Sequence, residues 1–580
     1  MPRPSPGAAV LYNSAHLIVY AHWRLMDITV EEAAQRLGIS TATVKRRLDR
    51  GQIVGRKIGR QWIVDDSKLP AANRRPPGEV TSGAIDTKSA FEYVKTTDLN
   101  ELWVPDILRW ADFIARPNGM LMEAETRATT GTCDAASNIE VPKTPMLTRP
   151  AVLLSLPDRV AFQALVSALL PATDGALSSR VYSSRATLRP GYLFKRSTKQ
   201  WVQWHRRIAQ EVKAGSTWVA KTDISAYFES IDHGILFKEL SALGISESVL
   251  KPLREFLKAW SRTPGRGLPQ GPNASRALGN FYLAPVDDAM RTASFNYWRY
   301  MDDVMIVERT KARAVAGIHL FERECRKRGL ILSAHKTKMI TGAEAARAGA
   351  DPAKDQAQYL MDSDQALKAR RALRAILSQA LREEGNVDVG AATFSLWRLA
   401  QLMDKAALPR VLKHLEELGP VARIGAAYLR KFLAEPTVED ALSAFVENPG
   451  RNASSVTESW LFACMLEHPS QPPSRWIDRA RAVAKDRNGE SFHRELAVNL
   501  MVLGAQPADI SWVKNELRRE FNPDMLRAYL VALTRIGELD RGTLAMALNR
   551  SNALTPTVDY LRNRTTVPSL VWRGQDVKIR

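Results

Sequence analysis

Cysteine is scarce in this chain of 580 residues, which contains only Cys133, Cys325 and Cys464. These residues lie far apart in the sequence, so none belongs to the closely spaced pairs that bind structural zinc. Three isolated cysteines also provide no disulfide framework of the kind that small secreted domains require. The nine histidines show no metal-binding spacing either. The sequence therefore argues against a zinc protein and against a disulfide-stabilised secreted protein.

Long apolar segments are missing as well. A membrane-spanning helix needs a run of about 18 or more apolar residues, and the sequence has none of that length. The N-terminal residues lack the pattern of a secretory signal peptide. We therefore expect a cytoplasmic protein with no membrane partner.

Acidic residues are outnumbered by basic ones, with 62 Asp and Glu against 82 Lys and Arg, and the net charge is +20. Such an excess predicts a polyanionic partner, with nucleic acid favoured over an acidic membrane. The hydrophobic fraction of 45% is ordinary for a globular protein. At this length we expect about two to four domains, each large enough to bury a core.

The segment 26–68 has the pattern of two short helices followed by a β-hairpin. Residues 29–37 predict a capped helix, Gly38 a turn, and 41–48 a second helix. Residues 53–64 alternate at strand period around Gly59, as a hairpin would. The preceding residues 1–25 are rich in proline at the start and show no clear period, so we expect a disordered or non-native start.

This pattern resembles the small winged helix-turn-helix of excisionase-like proteins. In such domains the second helix enters a DNA major groove while the wing contacts phosphates. The resemblance implies binding of duplex DNA through six basic residues of the second helix and the wing, namely Lys45, Arg46, Arg47, Arg56, Lys57 and Arg60. A domain used for protein contacts, with a solvated basic face, is the alternative. Residues 69–84 are a linker by composition, and residues 85–140 are predicted to be a helical extension.

Two adjacent carboxylates, Asp302 and Asp303, lie in the apolar and aromatic stretch 297–307, whose two flanks have the pattern of short strands. A third carboxylate, Asp223, lies near the end of the β-like run 218–224. Neighbouring carboxylates repel one another, and bound cations would offset that repulsion. Hard oxygen ligands favour Mg²⁺ or Mn²⁺. A lone Asp-Asp pair also occurs in solvated turns, so the pair alone does not establish a metal site.

Four segments in this order and spacing resemble the palm motifs of reverse transcriptases. They are Asp223 with Phe228, Gln270-Gly271 with Ser275, Tyr300-Met301-Asp302-Asp303, and His335-Lys336-Thr337-Lys338. Bacterial members of that family usually carry Ala where this chain has Met301. The departure lies beside the metal ligands and leaves the ligands themselves in place.

The resemblance implies a two-metal reaction in which a primer 3′-oxygen attacks the α-phosphorus of a nucleotide. It implies that Asp223 and Asp302 hold both metals and that Asp303 tunes the site. The Ile224 carbonyl would complete one metal shell. Lys336 would protonate the leaving pyrophosphate, although a structural role for this lysine is the alternative.

Substrate contacts follow from the same resemblance. Phe228 would lie beneath the incoming sugar and leave no room for a 2′-hydroxyl, which implies a preference for deoxynucleotides. The backbone at Gln270 and Gly271 would approach the nucleotide closely, since Gly tolerates unusual conformations. Arg149 matches the fingers of bacterial reverse transcriptases and would contact the triphosphate, with a structural ion pair as the alternative. The basic and aromatic segment 180–196 is either a template or primer track or a solvated charge run.

Fingers and palm are expected over residues 141–345, and residues 346–580 have the pattern of successive amphipathic helices. We interpret the latter as a thumb with HEAT-like repeats, with an irregular helical bundle as the alternative. A chain shortened to about residue 470 is expected to stay folded. Arg487 and His493 resemble the active-site pair of HEPN ribonucleases, but roles in packing are favoured.

The predicted fold class is multidomain α+β, with a winged helix-turn-helix, right-hand fingers and palm, and a C-terminal all-α region. The predicted function is that of a reverse transcriptase that uses Mg²⁺ or Mn²⁺, deoxynucleoside triphosphates and an RNA or DNA template. A non-coding RNA template and a homo-oligomeric state are compatible with it. A polymerase followed by a long helical region resembles the abortive-infection and other defence-associated reverse transcriptases of bacteria. The alternatives are a retron- or group II intron-like enzyme of a mobile element and a DNA-binding regulator with an inactive polymerase scaffold.

Overall fold

The computed structural model describes residues 27–30, 33–34, 41–49, 52–58, 61–65, 84–100, 103–187, 192–349, 351–381, 387–448, 454–564 and 566–567. The expected non-native start, 1–25, and nearly all of the predicted linker lie outside these residues. The predicted multidomain α+β class is confirmed, since helices predominate and small antiparallel sheets accompany them. Among the described helices none is long and apolar enough to cross a membrane.

The N-terminal unit is a three-stranded antiparallel sheet with one described helix of full length. Its elements are β1 (Asp27–Thr29), α1 (Thr41–Asp49), β2 (Gly55–Ile58) and β3 (Gln61–Asp65). Strands β2 and β3 form the predicted hairpin, and β1, which was not predicted, pairs with the other edge of β3. Val44 of the helix and Val64 of the sheet are buried in a small apolar core that holds the unit together.

The helical extension leads into a β-hairpin and a long helix. The elements are α2 (Thr87–Thr96), α3 (Ala111–Ala115), α4 (Pro117–Thr130), β4 (Ser137–Pro142), β5 (Thr148–Leu153) and α5 (Leu156–Ala176). This hairpin was not predicted, and its first strand begins within the expected helical extension, since Ser137 pairs with Leu153, so residues 85–140 are not wholly helical. Arg159 of α5 donates to buried Asp98 at 2.5 Å, which ties the long helix to the extension.

The next part of the chain surrounds a four-stranded antiparallel sheet. Its elements are α6 (Ser197–Lys213), β6 (Trp218–Thr222), α7 (Tyr227–Ser230), α8 (His233–Ala242), α9 (Glu247–Trp260), α10 (Asn273–Tyr282), α11 (Ala284–Thr292), β7 (Tyr297–Tyr300), β8 (Asp303–Glu308), α12 (Lys311–Arg326), β9 (Lys338–Thr341) and α13 (Gly342–Ala348). The strand order is β7-β8-β6-β9. This order places the end of β6, where Asp223 follows, beside the start of β8 at Asp303.

The pattern of residues 227–240 predicts a single helix, but the structure has two helices there, α7 and α8. The chain breaks between α7 and α8 because Asp232 caps the second helix, its carboxylate accepting the Ile235 N–H at 3.0 Å. The short helix α7 thereby carries Phe228 on a separate turn directly after Asp223.

The C-terminal region is all helical in its described residues. Its helices are α14 (Pro352–Asp362), α15 (Ala366–Ala380), α16 (Val389–Gln401), α17 (Leu408–Lys413), α18 (Ala422–Leu429), α19 (Pro436–Val446), α20 (Ser455–Met465), α21 (Ser474–Lys485), α22 (Ser491–Met501), α23 (Pro507–Arg519), α24 (Pro523–Arg535), α25 (Arg541–Arg550) and α26 (Thr555–Leu561). Alternate helices pack in two rows, with α16, α18, α20, α22 and α24 in one and α17, α19 and α21 in the other. Two such rows are the arrangement of a helical repeat.

The C-terminal helices share one apolar core with the hairpin β4–β5. Ile139 and Ala151 of the hairpin and Ile107 of the extension are buried in that core, whereas Val152 and Leu154 belong to the core of the sheet. The hairpin therefore has one face on each half of the protein.

Buried charges strengthen this junction. Arg527 of α24 donates to both carboxylate oxygens of Asp106 and of Asp112, at 2.6 to 3.0 Å. Deleting the residues beyond 470 would remove Arg527 together with the helices that cover the shared core, and would expose Phe462, which packs against Trp476. Large exposed apolar patches of this kind favour aggregation. We therefore revise the expectation for the shortened chain: it should be insoluble when produced, and recovery of soluble, folded protein would contradict this.

Candidate functional site

The hairpin of β7 and β8 presents a two-residue turn at the centre of the site. Tyr300 pairs with Asp303, so Met301 and Asp302 form the turn itself. Met301 has φ of 58°, in the left-handed region that residues with a Cβ atom seldom adopt. Such a turn is strained unless the surrounding structure holds it.

A fully buried guanidinium holds this turn from below. Arg299 donates to both carboxylate oxygens of Asp287 at 2.7 Å, to the Asn280 side chain at 2.6 Å and to its carbonyl at 2.9 Å. It also donates to the Met301 carbonyl at 3.1 Å. Burial opposes the charge of Arg299, but Asp287 holds the pKa of this guanidinium above its ordinary value. Arg299 therefore fixes the turn to helices α10 and α11.

Three carboxylates converge at this turn. Asp223 follows β6, and β6 pairs with β8 in the register Thr222 to Val304. Burial and the charges of Asp223 and Asp303 raise the pKa of Asp302 to about 7. Burial, with the charge of Asp223, also raises the pKa of Asp303, although Lys221 and Lys336 counteract it. The site is thus crowded with negative charge.

Lys336 supplies part of the counter-charge. Its ammonium donates to Asp223 Oδ2 at 2.6 Å. Burial works against the ammonium, but this hydrogen bond and the three carboxylates raise the pKa of Lys336. The neighbouring chain is anchored too, because Ser333 N–H donates to the Asp223 carbonyl at 2.8 Å and Ile224 bridges to Leu332.

No group of three or more carboxylate, imidazole or thiol side chains is assembled for metal binding in the described part of the chain. The donor chemistry nevertheless fits a hard divalent ion, since three carboxylates face one another and repel. The lysine ammonium at Asp223 occupies a position where positive charge is required. The carboxylates could hold a cation after a local rearrangement of Lys336.

A cavity of about 700 Å³ opens from this cluster. It is lined by eight of the nine residues that the sequence assigns to catalysis, metal or substrate: Arg149, Asp223, Ile224, Phe228, Gln270, Gly271, Asp302 and Lys336. The ninth, Asp303, does not line it but lies beside Asp302 and acts through its charge. Lys143, Arg276 and Arg423 also line the cavity, which makes its walls basic.

Arg149, one of the basic residues that line this cavity, has a hydrogen-bond donor without an acceptor. Its Nε is buried and has no hydrogen-bond acceptor among the described residues. Its guanidinium lies 5.9 Å from the centre of the Trp103 ring. Burial lowers the pKa of Arg149, while the charges of Asp302 and Glu229 oppose that shift. The arrangement suits an anionic ligand between Arg149 and the carboxylate cluster.

Phe228, Gln270 and Gly271 also line this cavity. The Phe228 ring packs against Gly279, where an added Cβ would lie 3.1 Å from its Cε1 atom. Gln270 Nε2 donates to Glu229 Oε1 at 3.2 Å. Gly271 has φ of 132°, and a Cβ there would lie 3.1 Å from the Trp103 indole nitrogen. Both the backbone conformation and the neighbour therefore require glycine at this position.

The basic residues of the N-terminal unit are far less completely described. Lys45 and Arg46 are exposed on α1, and Arg47 is half-buried. Arg56 and Lys57 lie in β2 by their backbone, and Arg60 lies outside the described residues. Lys45 and Arg46 are thus the two whose exposure suits DNA contact.

The ribonuclease-like pair occupies structural positions. Arg487 donates to Glu516 at 2.7 and 2.8 Å, and His493 lies 3.0 Å from Glu458 in a buried pocket. Glu458 in turn accepts two hydrogen bonds from Arg479. These contacts support the packing roles that the sequence favoured.

Two features of the site were not predicted. The first is Arg299, whose only sequence signal is a charged residue inside an apolar strand. The second is the wall that the C-terminal helices contribute to the cavity, through 419–424, Val456 and Trp460. Neither feature of the site could be predicted from the local sequence pattern.

Comparison with known proteins agrees with the motifs. The family model described as reverse transcriptase (RNA-dependent DNA polymerase) matches residues 141–361, and the model of the helix-turn-helix domain matches residues 28–69. The chain therefore carries a reverse transcriptase domain and a helix-turn-helix domain. No curated protein matches the chain.

Two solved structures are similar to parts of the chain. One is a partial Cas6-RT-Cas1–Cas2 complex, with 18% identity over 50% of this chain and 51% of that chain and a TM-score of 0.25. This chain thus spans about half the length of that protein. The other is telomerase from Candida albicans with a fragment of telomeric RNA, with 9% identity over 75% of this chain and 67% of that chain and a TM-score of 0.28. Scores this low add nothing to the assignment.

Crowding of the three carboxylates predicts a stability change when one is neutralised. Without divalent ions, Asp302→Asn should raise the thermal midpoint of unfolding, because it removes repulsion at a buried site. Mn²⁺ should then stabilise the wild-type protein but not this variant. Differential scanning calorimetry in chelator and in Mn²⁺ measures both effects. The control, Asp288→Asn, changes an exposed carboxylate and should respond to Mn²⁺ as the wild type does. An equal response of Asp302→Asn would contradict a metal site here.

Proposed function

We propose that this chain, whose residues 141–361 are a reverse transcriptase domain, joins deoxynucleotides to a primer on an RNA or DNA template. The observation that supports the proposal best is the convergence of Asp223, Asp302 and Asp303 at the base of a basic cavity that Arg149 also lines. A nucleoside triphosphate is an anion of the size and charge that such a cavity would bind.

The reaction would make a bond between the primer 3′-oxygen and the α-phosphorus and break the bond to the pyrophosphate. We infer that Asp223, Asp302 and the Ile224 carbonyl would hold two divalent ions, Mg²⁺ or Mn²⁺, with Asp303 adding charge. Bound there, the ions would neutralise the charge that develops on the attacking and leaving oxygens. The protein would contribute mainly position and electrostatic stabilisation, and no nucleophilic side chain is needed.

The cationic side chains would take separate roles. Arg149, with its unused buried Nε, would bind the triphosphate. Lys336 would leave Asp223 when metal binds and donate its proton to the leaving pyrophosphate. A lysine ammonium is protonated at neutral pH, as a proton donor must be.

Sugar selection is assigned to Phe228, which lines the cavity next to the carboxylates. Phe228→Val should admit ribonucleotides, lowering the preference for deoxynucleotides by about 10- to 100-fold, the range of steric discrimination in apolar pockets. Phe228→Tyr, which keeps the ring, is the matched control and should retain the preference.

Asp302→Asn should reduce deoxynucleotide incorporation by about two to three orders of magnitude. Steady-state incorporation on a primed template measures all three. Full incorporation by Asp302→Asn would refute the polymerase site, whereas unchanged sugar preference in Phe228→Val would refute only the gate.

We also propose duplex DNA binding by the N-terminal unit, because Lys45 and Arg46 are exposed on α1. If about five phosphates are contacted, log K should fall with log salt at a slope near −4 to −5. Replacing both residues with Glu should weaken binding and flatten the slope. The matched control replaces two exposed basic residues of α15, Lys368 and Arg371, with Glu. Fluorescence anisotropy of labelled duplex DNA, titrated with the full chain at several salt concentrations, measures the binding constant. Binding that ignores salt, or an equal effect of the control, would favour a protein-docking role.

For the biological role we propose antiviral defence in bacteria, on the likeness of a polymerase joined to a long helical region to defence-associated reverse transcriptases. Expression in a phage-sensitive host should reduce plaque formation, and Asp302→Asn should abolish that effect. Protection that persists in the variant would instead favour the alternative of an inactive scaffold. An absence of protection, together with a structured RNA encoded beside the gene, would favour a retron- or intron-like enzyme.

A further inference from the structure

The nucleotide cavity is closed on one side by the C-terminal helices. The segment 419–424, Val456 and Trp460 belong to its lining. Gly419 lies against the end of β4, since a Cβ at that glycine would meet Pro142 at 3.1 Å. The wall is therefore packed directly on the hairpin that carries Arg149.

One hydrogen bond crosses from this wall to the extension. The buried Trp460 of α20 donates its indole N–H to the Trp103 carbonyl at 2.8 Å. The two residues are 357 positions apart in the sequence. Replacement of the donor would leave the carbonyl without this partner, at the cost of one hydrogen bond.

Trp103 contacts both groups that we assign to the nucleotide. Its ring lies 5.9 Å from the Arg149 guanidinium, within cation–π range. Its indole nitrogen lies where a side chain at Gly271 would otherwise be, 3.1 Å from the ideal Cβ position. A displacement of Trp103 would therefore move or release both Arg149 and the backbone at Gly271.

A backbone hydrogen bond joins these groups further. Val152 N–H, in the same strand as Arg149, donates to the Gln270 carbonyl at 3.1 Å. The strand β5, the loop at Gln270 and Trp103 are thus linked by direct contacts. Trp460 is joined to this set through its hydrogen bond to Trp103.

We propose that Trp460 is a positioning residue for the incoming nucleotide. Acting through Trp103, it holds Arg149 and Gly271 in place, so that the C-terminal helices set the affinity of the polymerase site for deoxynucleoside triphosphates. The assignment of the ligand rests on the proposed function. The coupling of Trp460 through Trp103 to Arg149 and Gly271 does not rest on that function, and hydrogen–deuterium exchange measures it separately.

The coupling is tested by hydrogen–deuterium exchange of the full chain. Trp460→Phe keeps a six-membered aromatic ring but removes the five-membered ring that carries the N–H donor, and the control variant loses the same volume. Trp460→Phe should speed exchange of the Val152 amide and of the segment 268–273 by about fivefold, the effect of one lost hydrogen bond of typical net strength. The control is Trp476→Phe, since Trp476 is also buried in the same helical region and its indole N–H has no acceptor among the described residues. Equal exchange in the two variants at these sites would overturn the proposal.

The consequence for the nucleotide is tested by steady-state incorporation on a primed template. Trp460→Phe should raise the KM for deoxynucleoside triphosphates by about fivefold while kcat stays within about twofold, and Trp476→Phe should change neither. A fall in kcat alone would mean general loss of structure and would contradict the positioning role. If the wild-type protein incorporates nothing, the proposed function fails, and the exchange result still decides the coupling.

Discussion

The buried guanidinium of Arg299 is the interaction on which the site depends. It joins Asp287, Asn280 and the Met301 carbonyl, and so fixes a turn whose backbone would be unfavourable by itself. A buried cation with a full set of acceptors is a rigid support, because every alternative position would leave charge unpaired. This turn places Asp302 close to Asp223 and Asp303, and the repulsion among the three carboxylates favours the binding of cations. Geometry and electrostatics at the site thus have one origin.

The second constraint is the hairpin β4–β5, whose side chains pack into two separate apolar cores. Its inner residues Ile139 and Ala151 pack with the C-terminal helices, whereas Val152 packs with the sheet. Arg149 lies in the same hairpin. The shape of the cavity that it lines therefore depends on the contacts that join the C-terminal helices to the sheet. The ion pairs of Arg527 with Asp106 and Asp112 belong to the same junction. The helical region is therefore an integral part of the polymerase body, and its removal would expose the hairpin.

Local pattern was sufficient to predict the strands around Asp302, the strand before Asp223 and the helical character of the C-terminal region, since each depends on the period of nearby apolar residues. The catalytic residues were assigned by resemblance of ordered motifs, and the structure brings all but one of them to one cavity. Partners could not be predicted in this way. Asp287 for Arg299 and Trp103 for Trp460 are chosen by tertiary packing, which leaves no mark on either local sequence. The break before α8 was missed because Asp232 ended one helical pattern and capped the next.

The central claim is that the carboxylate site copies a nucleic-acid template into DNA. The most direct measurement supplies the purified full chain with a defined RNA template, an annealed DNA primer, deoxynucleoside triphosphates and Mg²⁺, and sequences the extended product. The account predicts product complementary to the template from the wild-type protein and none from Asp302→Asn. Product whose sequence does not follow the template, or equal product from both proteins, would contradict it.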